Sequence, residues 1–191
     1  MRPISLLFPI CVILSVTLAA PLEAAEVVLT PEFRSIQLRG GGSVTVRPGA
    51  SQRVTIVEGN SQVTRFSVDR NGQLRIDACV NRCPRHYALR IEIHSPSMPD
   101  AAISGGGTIT ASAGFRPQDR LSAAVSGGGQ IDVRSVSAAN LSAAVNGGGR
   151  VLTGRSSTLS GAVNGGGEIR YASTGKVSTV VNGGGTVRRA E

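Results

Sequence analysis

Tryptophan is absent from this sequence, and aromatic residues of all kinds make up only 3% of it. Platforms that stack bases or sugar rings need several aromatic faces close together, so this scarcity argues against one and against specific nucleic-acid recognition. Lysine is nearly absent too. Lys176 is the only one, so the formal charge of +8 rests almost wholly on arginine. Acidic residues number 12 against 20 basic ones. That leaves few carboxylates for the paired acid–base chemistry of glycoside-cleaving enzymes. After residue 20 no apolar run is long enough to cross a bilayer, so no transmembrane segment is expected in the mature chain.

The one long apolar run opens the chain. "MRPISLLFPICVILSVTLAAPLEAAE" sets one arginine before an apolar stretch from Ile4 to Ala20, with small residues after it. This is the layout of a secretory signal peptide, assigned to residues 1–24, with cleavage expected after Ala24 or Ala25. The mature protein is therefore expected in the periplasm or at the cell surface. Cys11 leaves with the leader, and Cys79 and Cys83 remain. An even pair in an exported chain points to a disulfide between them. In "CVNRCPRHYALRIEIH" the residues Cys79, Cys83, His86 and His94 also form a nominal zinc set. Oxidation of the cysteines is the expected outcome, so neither a metal nor a cofactor is anticipated.

What the chain has in abundance is glycine, and its placement sets the fold. Triplets recur at Gly105, Gly106 and Gly107; Gly127, Gly128 and Gly129; Gly147, Gly148 and Gly149; Gly165, Gly166 and Gly167; and Gly183, Gly184 and Gly185. Successive triplets start 22, 20, 18 and 18 residues apart. Aligning them puts apolar residues in columns: Leu121, Leu141, Leu159 and Val177; Val125, Val145, Val163 and Val181; and Ile131, Val151, Ile169 and Val187. Between these, apolar and polar residues alternate as in "LSAAV", the mark of half-buried strands. A period this short suits one turn of a β-solenoid, whose copies bury a continuous apolar column only when stacked. The triplets then stack at a corner, where backbones approach closely and φ turns positive. On this reading Gly148→Val breaks the stack and Ser142→Val does not. Ser104, Ser126, Asn146, Asn164 and Asn182 precede the triplets and are expected to form a hydrogen-bonded ladder.

Residues 26–98 read as strands without a fixed period, ahead of regular coils over 99–191, all in one domain spanning 26–191. "DRNGQ" is a hairpin signal, and "RGGGSVTV" at 39–46 looks like a distant first copy of the coil. The exported N-terminus, the irregular strands and "IEIHSPSMPDAAISGGGTIT" leading into glycine-rich coils together resemble the auto-transporter adhesin head (GIN) domain family of bacterial envelope proteins. The resemblance covers residues 32–187. It implies a right-handed parallel β-helix or β-solenoid, here of about five glycine-cornered coils, and an adhesin-like role. It supplies no catalytic residues.

Other uses of the glycines fit poorly. A phosphate loop needs a helix and Lys-Ser or Lys-Thr after its glycines, whereas strands follow these triplets. Calcium-binding solenoids need a repeated aspartate that is missing here. The expected function is a non-enzymatic envelope scaffold or adhesin-like binding module with an unknown envelope or surface partner. Two alternatives remain open. One is a β-helix enzyme acting on polysaccharide. The other is a binder of anionic polymers through Arg134, Arg150, Arg155, Arg170, Arg188 and Arg189, against which stands the reading of scattered arginines as ordinary solubilising surface. Arg150 and Glu168, equivalent in successive copies, should lie within ion-pair reach. The last coil lacks a cap, so a monomer is expected whose C-terminal coil is a docking edge guarded by Arg188 and Arg189.

Overall fold

The computed structural model describes residues 25–80, 83–85 and 87–190. The signal-peptide segment lies outside the described residues. Among those described there are seventeen strands and no helix. They form two mixed sheets, one of nine strands and one of eight, in which most neighbours run parallel.

Each repeat contributes one long strand to the eight-stranded sheet, then a glycine triplet, then a four-residue strand to the nine-stranded sheet. The long strands are β8 (Asp100–Gly105), β10 (Gln118–Gly127), β12 (Ala138–Gly147), β14 (Ser156–Asn164) and β16 (Lys176–Asn182). The short ones are β9 (Thr108–Ala111), β11 (Gln130–Val133), β13 (Arg150–Thr153), β15 (Glu168–Tyr171) and β17 (Thr186–Arg189). Every strand pairs in parallel with its equivalent one repeat on. Leu121, Leu141, Leu159 and Val177 stand opposite one another in successive strands, as do Ile131, Val151, Ile169 and Val187. The alternation in "LSAAV" explains this register. A slip of one residue would turn every apolar side chain outward, at about 1.5–3 kcal/mol for each large one. The inward columns of both sheets merge into one core that includes Ile103, Val125, Val145, Val163, Ile131, Val151 and Ile169.

The parallel stack extends beyond the five regular repeats. β2 (Ser35–Gly40) and β3 (Ser43–Pro48) carry the early triplet and stack on β8 and β9, with Gly40 opposite Gly105. β6 (Gln73–Asp77) and β7 (Arg90–Ser95) add a further parallel layer on their other side. The chain therefore returns across β2 before β8 begins, and the early layers are not laid down in sequence order. Antiparallel strands close this end: β5 (Arg65–Val68) on β6, β4 (Arg53–Glu58) on β7, and β1 (Glu26–Val28) on β4. The Asn71-Gly72 turn joins β5 to β6. Gly72 has φ +71°, and the Asp69 carboxylate accepts hydrogen bonds from the backbone N–H of Asn71 and Gln73.

The three glycines of a triplet are not equivalent, and this corrects the expectation for Gly148. Gly147 has φ +113°, and a Cβ there would lie 2.9 Å from the Gly127 carbonyl oxygen. A Cβ on Gly149 would sit 2.4 Å from Val125 Cγ1 and 2.7 Å from the Gly129 oxygen. Gly148 lacks positive φ, and a Cβ there would meet nothing within 4 Å. From the Gly127 triplet onward the first glycine is both at positive φ and crowded, the third is crowded without positive φ, and the middle one is open.

Candidate functional site

The middle and third glycines carry no side chains. Along Gly128, Gly148, Gly166 and Gly184 they floor a groove of about 550 Å³. Its wall is the column that follows the triplets, Gln130, Arg150, Glu168 and Thr186, together with Arg188. These side chains point outward because their neighbours Ile131, Val151, Ile169 and Val187 point into the core.

Glu168 is the hub of this wall. Arg150 Nε donates to Glu168 Oε2 at 2.7 Å, and Arg170 Nε and Arg188 Nε each donate to Oε1 at 2.7 Å. The carboxylate side chain is 13% exposed, while the three arginines are 42–58% exposed. The Arg170 hydrogen bond, reinforced by that of Arg188 and by both charges, outweighs desolvation and holds the Glu168 carboxyl down at about 2. It stays ionised at neutral pH and is unsuited to act as a general acid.

The Arg150–Glu168 contact was anticipated from the register. The convergence of Arg170 and Arg188 was not, although residues 168 and 170 share a strand face by simple alternation. Asp132 shares a column with Arg170 and Arg188, with Leu152 between. Its carboxylate nevertheless turns to Arg134, which donates through Nε and Nη2 at 3.0 and 2.6 Å. Burial pushes the Asp132 carboxyl up, but the Arg134 hydrogen bonds and charge prevail and hold it below its ordinary range. Arg134, Arg170, Arg188 and Arg189 line a second cavity of about 350 Å³ with Leu152 and Ala190. Arg155, the remaining arginine singled out from sequence, lies at the bend between β13 and β14 and lines neither cavity.

Acids of the irregular region are also tied to arginine. Glu58 pairs with Arg90, Asp69 with Arg75, Asp77 with Arg39 and Glu92 with Arg47. Cys79 and Cys83 form a disulfide, with Cα atoms 5.9 Å apart, in the connection from β6 to β7 that stands where later layers carry glycines. Bonded sulfurs cannot serve as thiolate ligands, so the nominal zinc set is not assembled. His86 lies outside the described residues, and His94 faces Glu92 at 3.4 Å. On the outer face of the opposite sheet Ser104, Ser126, Asn146, Asn164 and Asn182 stand in one row. Asn182 Nδ2 donates to Asn164 Oδ1 at 3.0 Å, and Ser104 Oγ accepts from Gln37 Nε2 at 3.2 Å. Sequence reasoning passed over Gly154 and Gly175, where a Cβ would approach the Val136 and Ser157 carbonyl oxygens at 2.2 and 2.0 Å. Each is a lone glycine, without the triplet that drew attention elsewhere.

No curated protein sequence matches the chain. A crystal structure of a putative adhesin from Bacteroides fragilis is 15% identical, with a TM-score of 0.45, covering 87% of this chain and 96% of that one. A putative adhesin from Parabacteroides merdae is 14% identical, with a TM-score of 0.41 and coverage of 88% and 96%. A structure named as a putative lipid binding protein from Parabacteroides distasonis is 14% identical, with a TM-score of 0.37 and the same coverage. The family described as "Putative auto-transporter adhesin, head GIN domain" matches residues 32–190, and the chain belongs to that family.

Proposed function

We propose that this chain is an exported, non-enzymatic envelope protein, a rigid β-solenoid module that presents flat side-chain arrays to a surface partner. The observation that carries the reading is the in-register stacking of equivalent residues in both sheets, within a family described as adhesin heads. Stacked identical positions fix the spacing of outward side chains and limit their freedom, which lowers the entropy cost of binding. The disulfide supports an extracytoplasmic location, and the leader-like N-terminus supports export. The ion-paired state of Glu168 and Asp132 supports a binding role over acid–base catalysis.

Protease shaving of intact cells, followed by blotting, tests presentation at the surface. Saturable binding of labelled protein, residues 26–191, to intact cells or isolated envelopes tests adhesion. The reading expects saturable binding that unlabelled protein competes away. Absence of such binding to cells and to envelopes would overturn it.

A further inference from the structure

The outer face of the nine-stranded sheet ends in a concentration of guanidinium groups that its own carboxylates do not balance. Arg170 and Arg188 stand directly opposite each other on β15 and β17. Like charges opposite one another on neighbouring strands, about 4.8 Å apart, are destabilising. Arg189 falls by alternation in the column of Tyr171, on the other face of the strand, but lines the same cavity at the open edge of the sheet, and Arg134 reaches that cavity from beside Asp132. With Arg150, five guanidinium groups meet two carboxylates among the described residues, Glu168 and Asp132. Among the described residues, no carboxylate lies within ion-pair distance of Arg189. A cationic excess held against its own repulsion is a local conflict of the kind that marks binding sites.

The arrangement is also ordered in advance. Glu168 takes the Nε of Arg150, Arg170 and Arg188, which fixes three long side chains while leaving them 42–58% exposed. Arginines held in this way lose less freedom when an oxyanion arrives, and their forked donors match its geometry. The 350 Å³ cavity is at the small end of ligand-site sizes. Arg188 borders both this cavity and the glycine-floored groove, so an extended chain has a continuous path past Arg150. Among the described residues no aromatic side chain lines either space, which disfavours single-stranded nucleic acid.

We propose that Arg134, Arg170, Arg188 and Arg189 bind an anionic polysaccharide, with its sulfate, phosphate or carboxylate groups seated among the guanidinium groups and its chain lying along the groove. The proposal rests on the reading of the chain as a partner-binding module and names the ligand class. The probes are heparin, which is sulfated, and alginate, which is carboxylated, with neutral dextran and single-stranded DNA as comparisons. Calorimetric titration of residues 26–191 at low salt gives the affinities.

Heparin or alginate should bind, more weakly as salt rises, while dextran should not. The triple variant Arg170→Gln, Arg188→Gln, Arg189→Gln should lose at least about tenfold in affinity. A charge-matched control, Arg53→Gln, Arg65→Gln, Arg116→Gln, removes exposed arginines far from the cluster in sequence and should lose much less. Arg189→Gln alone should weaken binding measurably, and it leaves the Glu168 hub intact if the triple variant folds poorly. Failure of the wild type to bind either polysaccharide, equal loss in both triple variants, or single-stranded DNA binding as tight as heparin would each overturn the proposal. A protein that ignores both polysaccharides yet binds cells saturably refutes this inference and leaves the adhesin reading standing. One that binds them through the cluster but ignores cells and envelopes does the reverse.

Discussion

Substituting alanine at three adjacent glycines should produce three different outcomes, although a sequence reading treats the positions alike. In Gly149→Ala the new methyl would sit 2.4 Å from Val125 Cγ1 and 2.7 Å from the Gly129 oxygen. Val125 is buried on a paired strand and cannot swing away, so the backbones of two repeats must separate. Overpacking of this kind costs about 1–3 kcal/mol. Gly147→Ala combines a φ of +113° with a 2.9 Å approach to the Gly127 oxygen, and such a backbone conformation costs about 1–3 kcal/mol by itself. At Gly148 the methyl meets nothing within 4 Å. Loss of glycine's freedom in the unfolded chain should leave that variant unchanged or more stable by up to about 1 kcal/mol. For a chain of this length 1 kcal/mol corresponds to about 2–4 °C in Tm. Thermal melts should therefore place Gly147→Ala and Gly149→Ala roughly 2–12 °C below the wild type, with Gly148→Ala at or slightly above it. Three equal Tm values would refute the division of labour within the triplet. A fall confined to Gly148→Ala would refute the corner geometry itself.

Glu168→Gln should destabilise the protein by about 1 kcal/mol at neutral pH, the worth of an ion-pair network discounted for arginines that are about half exposed. Because the folded pKa of about 2 lies below the ordinary 4.5, that contribution is complete above pH 4.5 and disappears as pH falls toward 2. Melts of wild type and variant should converge over that window; a gap that persists at pH 2 would mean that Glu168 acts through packing. Reduction of Cys79–Cys83, which closes a five-residue loop, should cost at most about 2 kcal/mol on the chain-entropy account. Two alkylated thiols in protein isolated from its native compartment without reductant would show that the bond does not form there. β16 and β17 are edge strands, with Val180 58% and Val181 41% exposed. Light scattering should show a monomer at low salt and association that grows with salt and with Arg188→Ser plus Arg189→Ser; a constant monomer mass throughout would remove the docking-edge idea.

The regular repeats were legible because one buried face imposes alternation and a fixed spacing of triplets, and both survive in the sequence as columns. Ile131, Val151, Ile169 and Val187 could be aligned without coordinates, and the pairing follows that alignment. The layer formed by β6 and β7 was not legible. Its connection carries a disulfide in place of the glycines, and its position beyond β2 reverses the order of the chain. The roles within each triplet were hidden for a related reason: glycine has no side chain, so nothing in the sequence tells a strained position from a crowded or an open one. At the candidate site, columns located Arg150 opposite Glu168. They could not show that Arg170 and Arg188 turn toward the same carboxylate, or that Asp132 turns to Arg134, because these choices are made by rotamers rather than by register.

The 18-residue spacing of the last repeats makes the length of the stack adjustable in whole rungs. Excising Gly165–Asn182 would join Asn164 directly to Gly183 and seat Val187 against Val151 in place of Ile169. The inward columns would close over the gap with the same residue types, and the protein would be shorter by one strand spacing, about 4.8 Å. Outward chemistry is not conserved in the same way, because that excision also removes Glu168 and Arg170. A lineage of such proteins can thus gain or lose reach by duplicating or deleting single repeats while its interior stays constant, and each such step rewrites the pattern of charge on its surface.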